Sequence, residues 1–150
     1  MCLSADPDTD RWTMYFDGAV NKNGRGAGAI LISPRGDQVP AATQLGFQCT
    51  QNMAEYEACI LGLRMAIERG VKVRHVYGDS FLVIYQINGR YQTKDEKLIP
   101  YHNHLEELIK EFDEVTFSFV TREKNQFADA LVTLAAWLLV PESGTVKDGD

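Results

Sequence analysis

The chain has 150 residues, 45% hydrophobic and 24% charged, which fits one soluble domain with a sizeable core and excludes a disordered polymer. Its longest apolar run, Leu134 to Val140, is far short of a membrane-spanning helix. The formal net charge of −6 counts against a nucleic-acid partner, because phosphate binding rewards Lys and Arg, unless clustered acids hold cations.

The opening "MCLSADPDTDR" has no apolar stretch, so no secretory signal is expected, and residues 1–10 read as a linker or frayed end. Cys2, Cys49 and Cys59 are odd in number and lack CxxC spacing, which suits free thiols in a reducing compartment and argues against a metal knuckle.

"RWTMYFDGAV" reads as a first strand, with Trp12, Met14 and Phe16 on one face and Asp17 at its end. After the turn cluster "NKNGRG" comes a second strand, "AGAILIS". The turn "PRGDQ" leads to a third run, "VPAATQLGF", with weaker alternation. Short Gly/Asn/Pro turns between three strands predict an antiparallel meander.

The periodicity then changes. "NMAEYEACILGLRMAIERG" predicts a long helix stopped at Gly70. "KVRHVYGD" is a strand ending on Asp79, and "SFLVIYQING" a short helix stopped at Gly89. A charged connection, "RYQTKDEKLI", precedes a helix from Pro100 to about Phe112. "EVTFSFVT" alternates Val115, Phe117 and Phe119 as a strand. "NQFADALVTLAAWLL" closes as a helix, and residues 140–150 form a polar tail. A meander followed by β/α crossovers predicts an α/β fold: a mixed sheet with helices packed on it.

Ligands gather at the carboxyl ends of parallel strands in such sheets. Asp17 and Asp79 both stand at strand ends, although Asp-Gly is also a common way to leave a strand. On the long helix, Glu55 shares a face with Cys59, Gly62, Leu63 and Ala66, small or apolar residues suited to packing on a sheet. Glu57 lies instead over Leu61, Arg64 and Glu68, a mostly polar stripe. Glu55 is therefore the candidate; a first-turn acid favoured by the helix dipole is the plainer alternative. The same alternative holds for Asp129, in the opening turn of the last helix. Together these acids would repel one another and raise each other's pKa without cations. An oxygen-rich set suits Mg²⁺ or Mn²⁺, and without His among the four, zinc is disfavoured.

"YFDGAV…GRGAGAIL", "TQNMAEYEACILGL", "VYGDSFLV" and "REKNQFADALVTLA" resemble, in order, the four sequence blocks of type 1 ribonuclease H, covering residues 12–138. The wording AEYEA with a late ADAL is similar to the ribonuclease H domain of plant gypsy-type (LTR) retrotransposon polyproteins. The resemblance implies a ribonuclease H fold spanning residues 11–139, with a five-stranded mixed sheet, three antiparallel strands continued by two parallel ones, and helices on both faces. It implies that Asp17, Glu55, Asp79 and Asp129 hold two divalent metals and hydrolyse the RNA strand of an RNA–DNA hybrid, leaving 5′-phosphate and 3′-hydroxyl ends. Two cations about 4 Å apart can activate a water and stabilise the leaving oxygen. The implied partners are the hybrid and a reverse transcriptase domain in the same polyprotein. The setting would be a cytoplasmic retroelement particle, with the nucleus as an alternative, and the excised domain would be monomeric.

By the same resemblance, Gly18, Ala19, Gln51 and Asn52 contact the hybrid, whose 2′-hydroxyls are read across the minor groove. The family often carries an Asn pair where this chain has Gln51–Asn52. Asn52 could equally be the N-cap of the long helix. Arg90 and Lys94, with Lys97 around Tyr91, could follow the DNA strand or form a solvated connection; Arg122 and Lys124 could meet a phosphate. No basic helix is inserted after "NGRYQTKDEK", which predicts weak hybrid affinity for the isolated domain. The flexible His-bearing loop of many relatives is replaced by "TREKNQF", so no catalytic His is assigned. Two other readings stand beside the enzyme: a silent ribonuclease H-like binding or tether module, and another nuclease of the same fold.

Overall fold

The computed structural model describes residues 11–22, 24–46, 48–89, 95–126 and 128–130. The expected linker, the polar tail, most of the final helix, and Arg90, Tyr91 and Lys94 lie outside these residues.

Strands β1 (Trp12–Asn21), β2 (Gly24–Ile32) and β3 (Gln38–Gln44) form the meander. Helix α1 (Gln51–Arg69) leads to β4 (Val73–Gly78), α2 (Phe81–Ile87), α3 (Ile99–Ile109) and β5 (Thr116–Phe119). A 3-10 turn follows over Arg122–Asn125, and the chain is helical again at 126 and 128–130. The five-stranded sheet runs β3-β2-β1-β4-β5, with β1 antiparallel to β2 and parallel to β4, and β4 parallel to β5. The mixed sheet is as expected. Pro40 falls on the edge strand β3, where a missing backbone donor costs the sheet nothing.

Alternation in β1 buries Trp12, Met14 and Phe16, which join Ala29, Leu31, Tyr56, Leu63 and Val76 in the core beneath α1. Helix α1 ends as its sequence predicts, with Gly70 as a left-handed cap at φ 70°. Its start differs. Thr50, not Asn52, is the N-cap: the Thr50 hydroxyl accepts from the Met53 amide at 3.3 Å. Glu55 is thus the fifth helical residue and no first-turn acid, which removes the dipole alternative.

Two further expectations are corrected. Asp17 does not end β1, because antiparallel pairing continues to Asn21↔Gly24. What ends there is the parallel pairing, whose last step is Phe16↔Gly78. Asp17 and Asp79 therefore follow the last paired residues of adjacent parallel strands. In β5, Phe117 is buried but Phe119 is 44% exposed and meets the Phe81 ring edge-on, so the alternation does not carry through.

Candidate active site

Parallel pairing of β1 with β4 sets Asp17 beside Asp79, and α1 crosses β1 close enough to bring Glu55 to both. One carboxylate oxygen from each of Asp17, Glu55 and Asp79 lies within 4.8 Å of the others. Asp129, half-buried, comes within hydrogen-bonding reach of Asp17.

The close approach has a visible cause. A Cβ on Gly18 would fall 2.6 Å from the Glu55 amide nitrogen and closer still to the Ala54 carbonyl, so only glycine lets the helix cross here. The Gly18 amide then donates to Glu55 Oε1 at 3.0 Å. Gln51 holds the other oxygen: its Nε2 donates to Glu55 Oε2 at 3.0 Å and to the Gly18 carbonyl at 2.6 Å. Gln51 Oε1 accepts from the Val20 amide at 3.0 Å, so both ends of this amide are engaged within the protein.

Desolvation dominates the electrostatics. Burial, then the charges of Glu55 and Asp79 and the bond to Asp129, push the Asp17 carboxyl up to about 9. Burial and the Asp79 charge push Glu55 up to about 8, against the lowering effect of the bonds from Gly18 and Gln51. Asp79 Oδ2 is buried and accepts no hydrogen bond. It is ion-paired with Arg122, whose Nε lies 3.9 Å away on a side chain that is 83% exposed. A buried carboxylate oxygen left without a donor, in a set made only of oxygens, fits a hard divalent cation.

The last segment is tied to both strands. The Val120 amide donates to the Gly78 carbonyl at 2.9 Å, one residue ahead of Asp79. The fully buried Asn125 donates from Nδ2 to the Phe16 carbonyl at 2.9 Å, one residue ahead of Asp17.

Of the residues singled out in the sequence, the structure brings together Asp17, Glu55, Asp79 and Asp129, with Gly18, Gln51 and Arg122 beside them. Ala19 and Asn52 are half-buried, one residue beyond Gly18 and Gln51. Asn125 was not foreseen; it sat in a polar stretch, "EKNQ", where nothing marks one residue as buried.

Comparisons with known proteins agree with the fold. Residues 15–135 match the family model described as reverse transcriptase-like. The chain is 36% identical over 123 residues to ribonuclease HI of Halobacterium salinarum, covering 81% of this chain and 62% of that protein. The crystal structure of RNase H1 from that archaeon superposes with a TM-score of 0.78 at 35% identity, covering 83% of this chain and 96% of that one. The N-terminal RNase H domain of a Mycobacterium tuberculosis protein gives 0.80 at 27% identity, covering 89% and 98%. LC11-RNase H1 from compost, solved with an RNA/DNA hybrid, gives 0.75 at 28%, covering 83% and 95%. The chain spans 62% of the length of the Halobacterium protein and 31% of the bifunctional mycobacterial one.

The sheet order and the acids at the ends of its parallel pairing define the ribonuclease H-like fold. Within that class, the chain belongs to the reverse transcriptase-like family that includes the type 1 ribonucleases H.

Proposed function

We propose that this chain is a ribonuclease H that cleaves the RNA strand of RNA–DNA hybrids with divalent cations held by Asp17, Glu55, Asp79 and Asp129. The observation that carries the reading is the convergence of the Asp17, Glu55 and Asp79 oxygens within 4.8 Å, with a buried Asp79 oxygen that accepts no hydrogen bond. Support also comes from the likeness to LC11-RNase H1, which was solved with a hybrid. Bound Mg²⁺, or Mn²⁺ in its place, would supply Lewis acidity toward the phosphodiester and lower the pKa of a coordinated water.

The protein's own residues do the rest. Gly18 and Gln51 fix the two Glu55 oxygens, so that this carboxylate meets its cation in a set orientation. Asp17 and Glu55 must release the protons that burial makes them hold, so cation binding is coupled to proton loss. Arg122, exposed beside Asp79, can contact a phosphate without entering the carboxylate set. The formal charge of −6 would fall to about −2 with two dications bound, and the positive charge would sit where phosphate must lie.

The AEYEA and ADAL wording supports a retroelement setting, with a reverse transcriptase in the same polyprotein, a hybrid made during reverse transcription, and a cytoplasmic particle as the site of action. A labelled RNA–DNA hybrid incubated with Mg²⁺ or Mn²⁺ tests the activity, alongside Asp79→Asn. Cleavage by the parent, slowed about 100-fold or more by the substitution, is expected. Hybrid left intact in both metals at saturating enzyme sinks the reading.

A further inference from the structure

We propose that Asn125 is a positioning residue that holds Asp129 against Asp17 and thereby sets the affinity of the carboxylate set for divalent cations. The inference rests on the functional reading above.

Asn125 ends the 3-10 turn, and Asp129 follows four residues later in sequence. The Asn125 amide spans 109 residues of sequence to reach the Phe16 carbonyl at 2.9 Å, in a place with no solvent exposure. Phe16 immediately precedes Asp17. One side-chain bond therefore joins the start of the segment carrying Asp129 to the backbone carrying Asp17, and the two acids then come within hydrogen-bonding reach.

Stability alone does not explain this residue. Asn125 Oδ1 is buried and accepts no hydrogen bond. Burying such an acceptor is unfavourable and offsets part of what the bond from Nδ2 to the Phe16 carbonyl contributes to stability. The other end of the turn is already secured, by Val120 to Gly78 and by Lys124 and Asn125 amides to the Thr121 carbonyl. What the Nδ2 bond adds is a fixed place for the segment that follows.

The test uses the whole chain and two variants, Asn125→Leu, similar in volume, and Asn125→Ser, which keeps a donor but loses its reach. Mn²⁺ binding to substrate-free protein is read by electron paramagnetic resonance, and kcat and KM are measured on the hybrid. For a variant with a native circular dichroism spectrum, Mn²⁺ affinity should fall about 10-fold or more, with kcat falling in step. KM should stay close to the parent's, while the metal-free variant melts somewhat lower because the Phe16 carbonyl loses its donor. Parent-like Mn²⁺ affinity in a folded variant, with the parent itself active, overturns the proposal alone. Failure of both variants to fold makes Asn125 a folding residue and overturns it too. A parent that neither binds Mn²⁺ nor cleaves removes the functional reading, and this proposal with it.

Discussion

The Gly18 amide donates to Glu55 Oε1 at 3.0 Å, so the residue after one acid of the cluster is hydrogen-bonded to the next acid. That bond exists only because α1 and β1 touch backbone to backbone at Gly18.

Gly18→Ala is therefore expected to be costly in two ways. Its methyl would meet the Ala54 and Glu55 backbone, which cannot swing aside as a side chain could. A loss of about 1–3 kcal/mol or more in urea unfolding is expected, as for other overpacked sites. Cleavage should fall about 10-fold or more even at temperatures where the variant is folded, because Glu55 loses its backbone donor.

Gln51→Leu tests whether this residue orients Glu55 or reads the ribose. Its three polar contacts, to Gly18, Val20 and Glu55, are internal. The expected result is a fall in kcat of about 10-fold, with hybrid affinity in Ca²⁺ changed no more than about twofold. A large rise in KM at unchanged kcat would instead place Gln51 on the substrate.

The metal-free protein should lose stability as pH rises. Asp17 and Glu55 bind protons more tightly in the folded chain, at about 9 and about 8, than their ordinary values of 3.8 and 4.5 allow. Well below pH 3.8 both states are protonated and their contribution is fully present. As pH climbs, the unfolded chain sheds these protons first, so stability declines until the folded carboxyls ionise too. Melting in EDTA should therefore be lower near about pH 8 than near about pH 5, and Mg²⁺ should restore more at the higher pH. Equal melting temperatures at both, with and without Mg²⁺, would contradict this.

Tyr56→Phe separates folding from chemistry. The Tyr56 hydroxyl donates to Gln86 Oε1 at 2.7 Å, and both residues are buried. Removing the hydroxyl strands the Gln86 acceptor, so urea unfolding should show a loss of about 1–3 kcal/mol. The hydrogen bond lies among core residues and not in the carboxylate set, so kcat at a temperature where the variant is folded should match the parent's.

The acids were legible because their types and places obey local rules. Asp79 follows a strand, and Glu55 opens the buried stripe of a helix, both visible as periodicity. Asp17 was chosen for an incomplete reason: a strand end was inferred from Asp-Gly, whereas the sheet shows two pairing partners, of which only the parallel one stops. A single strand's pattern cannot report that its two neighbours end at different residues. Asn52 is of a good capping type but lies two residues inside the Thr50 cap, and only the backbone shows which residue starts the helix. Asn125 and the internal role of Gln51 were invisible for another reason. Both depend on contacts between distant elements, and a polar residue in a polar stretch looks solvated until the tertiary fold encloses it.

The tie from Asn125 to Phe16 also bears on how the protein is made. During synthesis, Asp17, Glu55 and Asp79 are translated before Asn125, the far end of that bond. A growing chain thus carries Asp17, Glu55 and Asp79 with Asp129 still untranslated and the closing link absent. A product terminated before Asn125 therefore carries neither that link nor Asp129.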